Sequence, residues 1–300
     1  MPQFQTINRQ LAYIPETVFG TTPATPQTTL LEFVTFTPTH SAEDIRSQTL
    51  ASHAQLVDRR NGNVQAAAEL AFELNPTNAD TFLEAGLMGT WTTNVLKVGK
   101  TARSFTLEEG QNDGPQYRTL TGATINTLGM SLTNDGYAQI NCGVVGKALS
   151  AWTATSIDST PTAAATGSRF FHDGGVYKIG GSVVASMQSV TWTWSNGLTP
   201  VFVLGSSAVA GFNIASVREL TGSASGLFES VTEANKFIAN TDSSIQYQLI
   251  AGSDSLDVKI GSLNYTNVSY DYSQGGVVVN FDFVGKYNAA DASSLVLTRV

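Results

Sequence analysis

Val98-Gly99-Lys100-Thr101 has the residue types that close a phosphate-binding loop. Such a loop needs a glycine five residues before Gly99, where backbone amides begin to wrap the phosphates. Asn94 stands there instead, without a strand-loop-long-helix context, so the segment reads as a polar β-connection. The three histidines, His40, His53 and His172, pair with no other His, Cys or carboxylate at zinc-site spacing. A Ser-His-Asp triad converges in space and leaves no fixed spacing, but the nucleophile elbow that would announce one is broken. In Gly222-Ser223-Ala224-Ser225-Gly226 an alanine occupies the nucleophile position. Glu108, Glu109 and Asp113 lack the acidic ladder and glycine of a calcium loop and read as a solvated loop. The sequons at Asn264 and Asn267 lie in a Thr/Asn-rich strand with no secretion signal before them, and are read as accidents of composition. Glu69 and Glu73 are different. They share the polar face of a strand whose other face is hydrophobic, so they either face solvent or line an enclosed passage.

Bulk properties narrow the classes further. The 300 residues are 42% hydrophobic and only 13% charged, about half the usual charged share. A packed core is affordable, and the surface must be made of Thr, Ser, Asn, Gln and Gly. The net charge of −8, without clusters of Lys or Arg, lacks the footprint of a nucleic-acid binder or a polybasic membrane patch. No apolar run approaches the roughly 18 residues of a membrane helix, and Met1 to Glu16 holds no signal-peptide core. The single cysteine, Cys142, rules out an internal disulfide. These features predict a soluble, β-rich structural protein without a catalytic site or cofactor.

The elements that carry these residues occur twice. Val64 to Leu74 alternates strictly, with Ala66, Ala68, Leu70 and Phe72 on one face and Gln65, Glu69 and Glu73 on the other. Asn75-Pro76-Thr77 ends that strand, and Asp80 to Met88 has helical spacing after a cap at Thr77 or Asn78. Leu128, Met130 and Leu132 alternate up to a turn at Asn134-Asp135-Gly136, and Ala138, Ile140, Cys142 and Val144 alternate after it. The segment ends at Val145-Gly146-Lys147. Near the C-terminus Val268, Tyr270 and Tyr272 alternate, with a turn at 273–276. Val277, Val279, Phe281 and Phe283 follow, and the segment ends at Val284-Gly285-Lys286. Upstream, Arg218 to Phe228 and Thr232 to Ala239 repeat the strand and helix, placing Phe237-Ile238 on Phe82-Leu83. Residues 1–150 carry 9 basic and 13 acidic side chains and residues 151–300 carry 7 and 11, the same excess in each half. The expected organisation is mainly β with short helices (α+β): one domain over 1–155, a linker over 156–168 and a related domain over 169–300.

With the order of these segments in view, the chain resembles the tail tube proteins of long-tailed bacteriophages. The resemblance rests on Glu16-Thr17-Val18-Phe19-Gly20-Thr21-Thr22-Pro23, Glu43-Asp44-Ile45-Arg46-Ser47 and Asp58 to Leu74. Asp80-Thr81-Phe82-Leu83-Glu84-Ala85, Ser104-Phe105-Thr106-Leu107-Glu108 and the hairpin closing at Gly146-Lys147 complete it. It implies two tandem β-sandwich or half-barrel domains, each with one flanking helix, whose strands join neighbours into a ring. Rings would stack into a hollow tube in the virion tail, assembled in the host cytoplasm, through which viral double-stranded DNA passes without specific binding. Two such domains per chain imply trimeric rings with pseudo-six-fold symmetry. Tape measure, tail terminator and distal tail proteins are the implied partners. Glu69 and Glu73 become candidates for the lumen wall. Leu50, His53, Leu56 and Asp58, in the polar stretch Leu50 to Gly62, become candidates for an arm reaching the next ring. Gly146, Lys147, Gly285 and Lys286 mark repeat-equivalent strand ends. The competing readings are a receptor-binding or baseplate β-domain, a hydrolase on a β-sandwich, and a single-domain secretion tube protein.

Overall fold

A computed structural model describes residues 5–49, 52–53, 55–164, 166–228, 231–272 and 276–299. Leu50 and the expected turn at 273–275 lie outside these residues. The described residues are mainly β, with two short α-helices. In chain order the first elements are β1 (Arg9–Pro15), β2 (Thr29–Leu31), β3 (Thr35–Arg46), β4 (Arg59–Glu73) and α1 (Ala79–Leu87). Then come β5 (Val95–Lys97), β6 (Phe105–Gln111), β7 (Gln116–Thr133), β8 (Gln139–Gly146) and β9 (Ala148–Leu149). The later elements open with β10 (Tyr177–Ile179), β11 (Ser182–Val183), β12 (Met187–Ser195), β13 (Leu198–Val201), β14 (Gly211–Ile214) and β15 (Glu219–Leu227). They close with α2 (Thr232–Ala239), β16 (Ser243–Ala251), β17 (Asp254–Asp271), β18 (Val278–Gly285) and β19 (Val296–Arg299).

Alternation in β4, β7 and β8 does what period two dictates. Leu70, Cys142 and Leu128 lie side by side on one face and are buried, while Glu69, Asn141 and Thr127 stay on the other. Every ladder in this part is antiparallel, in the order β3-β4-β8-β7 and then β6-β1-β2. The order β12-β15-β18-β17 and then β16-β10-β11 repeats it. Even the irregularities match: the β7–β8 ladder slips between Ile125 and Thr127, and the β17–β18 ladder between Tyr265 and Asn267. A bulge costs a ladder position and bends the strand, so its recurrence at one place fixes the same bend twice.

Helix α1 lies on the apolar face, with Phe82, Leu83, Ala85 and Leu87 all buried. Phe82 packs on Phe72 and Phe105 at ring separations of 5.2 and 5.7 Å. Burial of each such ring is worth roughly 1.5–3 kcal/mol. Asn78 stands at the helix N-terminus as expected, but its side chain bonds Asn75 N and Glu73 O instead of capping the helix. The helix ends because Met88 turns left-handed at φ 50°, sending its N–H back to Ala85 O.

Two expectations need correcting. Glu108 and Glu109 are not a solvated loop: they lie in β6 at 2% and 3% exposure. Glu109 accepts Arg9 and Arg118 from neighbouring strands, and Glu108 accepts Ser156 Oγ and Ile157 N. A carboxylate can be buried there because charged or hydrogen-bonding partners from distant sequence replace water. Phe237 and Ile238 do not reproduce the packing of Phe82 and Leu83, since they are 40% and 80% exposed and Ala234 is the buried residue of α2. The stretch 156–168 is tied down on one side: Asp158 accepts Thr28, and Thr162 exchanges backbone bonds with Thr28 and Leu30.

Candidate functional site

The two four-stranded sets are joined edge to edge. Strand β12 pairs with the C-terminal half of β7, Val190 opposite Leu132, Trp192 opposite Met130 and Trp194 opposite Leu128. The result is one open antiparallel sheet of eight strands, β3-β4-β8-β7-β12-β15-β18-β17. Fully buried Asn196 pins the junction. Its amide donates to Gly86 O and Ile125 O at 2.7 and 3.0 Å, and its carbonyl accepts Trp194 Nε1 at 3.0 Å. Trp192 Nε1 donates to Tyr247 Oη at 2.7 Å, and burial pushes that phenol up out of its usual range.

One face of this sheet is mostly polar, although Ala67 and Val145 and, farther along, Leu227 and Val278 also lie on it. A single cross-strand row runs Glu73, Gln139, Ser131, Thr191, Ser223, Asp282 and Asn267. A second runs Glu69, Gly143, Thr127, Ser195 and Glu219. No lysine or arginine occurs in either row, and Glu69 and Asp282 are exposed. Glu69 and Glu73 therefore share the face that alternation assigned to them. Glu73 is the less free of the two, because Arg169 reaches it from a loop and also holds Glu32 at 2.9 Å.

The expected arm is a hairpin. Strands β3 and β4 run past the body of the sheet, and every β3 residue from Thr39 to Arg46 is exposed. Arg59 to Gly62 is strand β4 and not connecting loop, which shortens the polar tip to about 47–58. His53, Leu56 and Asp58 lie in the tip and are exposed. Asp44 bridges Arg46 and Arg59 across the hairpin stem, and their hydrogen bonds and charges hold its carboxyl below the usual carboxylate range. Gly146 and Gly285 end β8 and β18. Lys147 lies against Gly20, and Lys286 reaches Asp242 at 2.6 Å.

The chemistry-bearing candidates stay apart. His40 is on β3, His53 in the arm, and His172 beside the Phe171 ring at 4.2 Å. Gly222 to Gly226 is extended strand. Among the described residues no three His, Cys, Asp or Glu side chains gather as a metal site. Cys142 is fully buried, and burial first, then Glu69, pushes its thiol up. No described helix is long and apolar enough to cross a membrane.

What the described residues offer is surface: a largely polar sheet face, two sheet edges and a projecting hairpin. The model of the phage tail tube protein family matches residues 6–288, and the chain belongs to that family. It is accordingly a structural protein of a phage tail, with the virion tail as its location. No curated protein matches the chain. Sequence reasoning missed β12 as the joining strand. Its Trp192 and Trp194 alternation signals a strand, without saying which strand it joins.

Proposed function

We propose that copies of this chain close edge to edge into rings, three chains to a ring, and that the rings stack into the conduit for viral DNA. The observation that carries this reading is the eight-stranded open sheet, apolar on one face and uncharged or acidic along its polar rows. An open edge exposes unpaired backbone groups, and a closed ring satisfies them. Turned inward, the polar rows meet DNA with hydroxyls, amides and carboxylates, and Arg169 beside them is held by Glu32 and Glu73, so phosphates find little free cation to hold them. Glu69 and, in its ion pair, Glu73 belong to that wall. The repeated pairing order supports two tandem domains, 1–155 and 169–300, and hence pseudo-six-fold rings. The β3–β4 hairpin reaches beyond the sheet and is the inter-ring arm.

Negative-stain microscopy of concentrated protein tests the reading: rings or tubes are expected, and uniform small monomers would favour a receptor-binding or baseplate module. Replacing 47–58 by a tight turn should leave folding and rings intact and stop tube growth. Tubes of normal length from that variant would mean that the hairpin tip is not an inter-ring arm.

A further inference from the structure

The join between the two halves supplies a template for the join between chains, which specifies partner, edges and register. Equivalent positions follow from the ladders. Cys142 pairs with Leu70 and Leu128, and Phe281 pairs with Ala224 and Val268. Leu70 faces Phe36 on β3, and Ala224 faces Val190 on β12. Strand β3 is thus to the first set what β12 is to the second, and Tyr270 on β17 takes the place of Met130 on β7. Yet β12 has β7 on its outer side, whereas β3 pairs with β4 alone among the described residues. Likewise β12 fills one side of the C-terminal half of β7, and among the described residues the corresponding side of β17 beyond Tyr265 holds no strand.

Resting on the ring reading above, we infer that β3 of one chain pairs antiparallel with residues 267–272 of the next. In this register Phe36 lies opposite Tyr272, Pro38 opposite Tyr270 and His40 opposite Val268. The exposures agree with a missing partner: Tyr270 and Tyr272 are 41% and 74% exposed, whereas Met130 and Leu132, their counterparts, are buried. The partner is a second copy of this chain, because one chain carries both complementary edges, β3 and the C-terminal end of β17. Backbone bonds from Asn196 to Asn126 and from Asn134 to Gln188 put the even-numbered residues of β12 in bonding pairs with β7. Pro38 falls on a bonding position and offers no N–H, so the ladder between chains lacks one bond that the internal ladder has. A proline on this edge also discourages pairing in the wrong register before assembly.

Thr39 and Ser269 fall on a non-bonding pair of this ladder, where Cα atoms approach to about 4.5 Å and cysteines can bridge. Within one chain they stand at opposite ends of the eight-stranded sheet, about 30 Å apart by strand spacing, so a bridge between them joins two chains. The test is Thr39→Cys with Ser269→Cys, run beside a slipped pair, Thr37→Cys with Ser269→Cys, and the single variants. Each is checked for rings by microscopy and then mildly oxidised. The expected result is a covalent trimer from the matched pair, at least about tenfold above the slipped pair. Rings that bridge only through the slipped pair, or through neither, overturn the register and leave the ring reading standing. Wild-type protein that forms no rings overturns both. Burial of Cys142 keeps its thiol out of the reaction.

Discussion

The two helices occupy the same place in the order of strands and are embedded very differently. Around α1, Phe72, Phe82 and Phe105 interlock, Asn196 arrives from the β12 end to bond Gly86 O, and Arg299 pairs with Asp80. Around α2, the position of Phe72 is taken by Gly226, and Phe237 and Ile238 point to solvent. The missing bulk reappears partly on the next strand, where Phe281 and Phe283 stand in for Cys142 and Val144. It is not fully restored. A pocket of about 270 Å³, open to solvent, lies there, lined by Met187, Ala224, Gly226, Thr232, Val279 and Phe281. Backbone register is thus held constant between the halves while side-chain volume is not. Ladder bonds and bulges constrain the strands position by position, whereas a core needs only its total volume and pattern.

That contrast can be broken by substitution. The largest effect is expected from Phe82→Ala, about 3–5 kcal/mol lost in chemical denaturation, because the surrounding rings cannot close over the void. A loss under about 1 kcal/mol would mean that α1 is no better packed than α2. Asn196→Ala should cost about 2–3 kcal/mol, since it strands Gly86 O and the Trp194 N–H in a dry site. If the junction is as tight as its geometry, the same variant should raise hydrogen exchange along β12 ahead of β4.

The halves should also differ in their response to acid. Burial raises the Glu108 carboxyl above its ordinary value of 4.5, despite bonds from Ser156 and Ile157. The fold therefore holds that proton more tightly than the unfolded chain does. Its contribution is complete below 4.5 and is lost as pH rises through the raised folded value. Glu233 shifts the other way: burial works to raise it, but bonds from Lys236, Ser243 and Tyr265 outweigh burial and hold it low. Its contribution is complete above 4.5 and disappears as pH falls through the depressed value. Melting temperatures across this range should show Glu108→Gln gaining on the wild type above 4.5. Glu233→Gln should lose its deficit below 4.5. Parallel pH profiles for the two variants would contradict these assignments. The smallest effect is expected at α2, where Ile238→Ser should change stability by no more than about 0.5 kcal/mol.

Much of this was legible in the residues. Period-two alternation identifies β4, β8 and the paired ends of β7 and β17, and it puts Glu69 and Glu73 on one face. The two Val-Gly-Lys segments stand where β8 and β18 end. Glu108 and Glu109 were misread because adjacent carboxylates look solvated unless Arg9 and Arg118 are known to flank them. Likewise Phe237-Ile238 looked like Phe82-Leu83, since hydrophobic type alone does not say whether a neighbour exists to cover it. Pairing of β12 with β7 joins segments far apart in sequence, and alternation says which face is apolar but not which strand lies alongside.

On the ring reading, this sheet is one segment of a closed ring of identical chains. Native mass spectrometry of isolated rings tests it most directly. Three chains of 31.8 kDa, about 95 kDa in all, are predicted. A ring of six chains, or a solution holding only the single chain at tube-forming concentration, would contradict it.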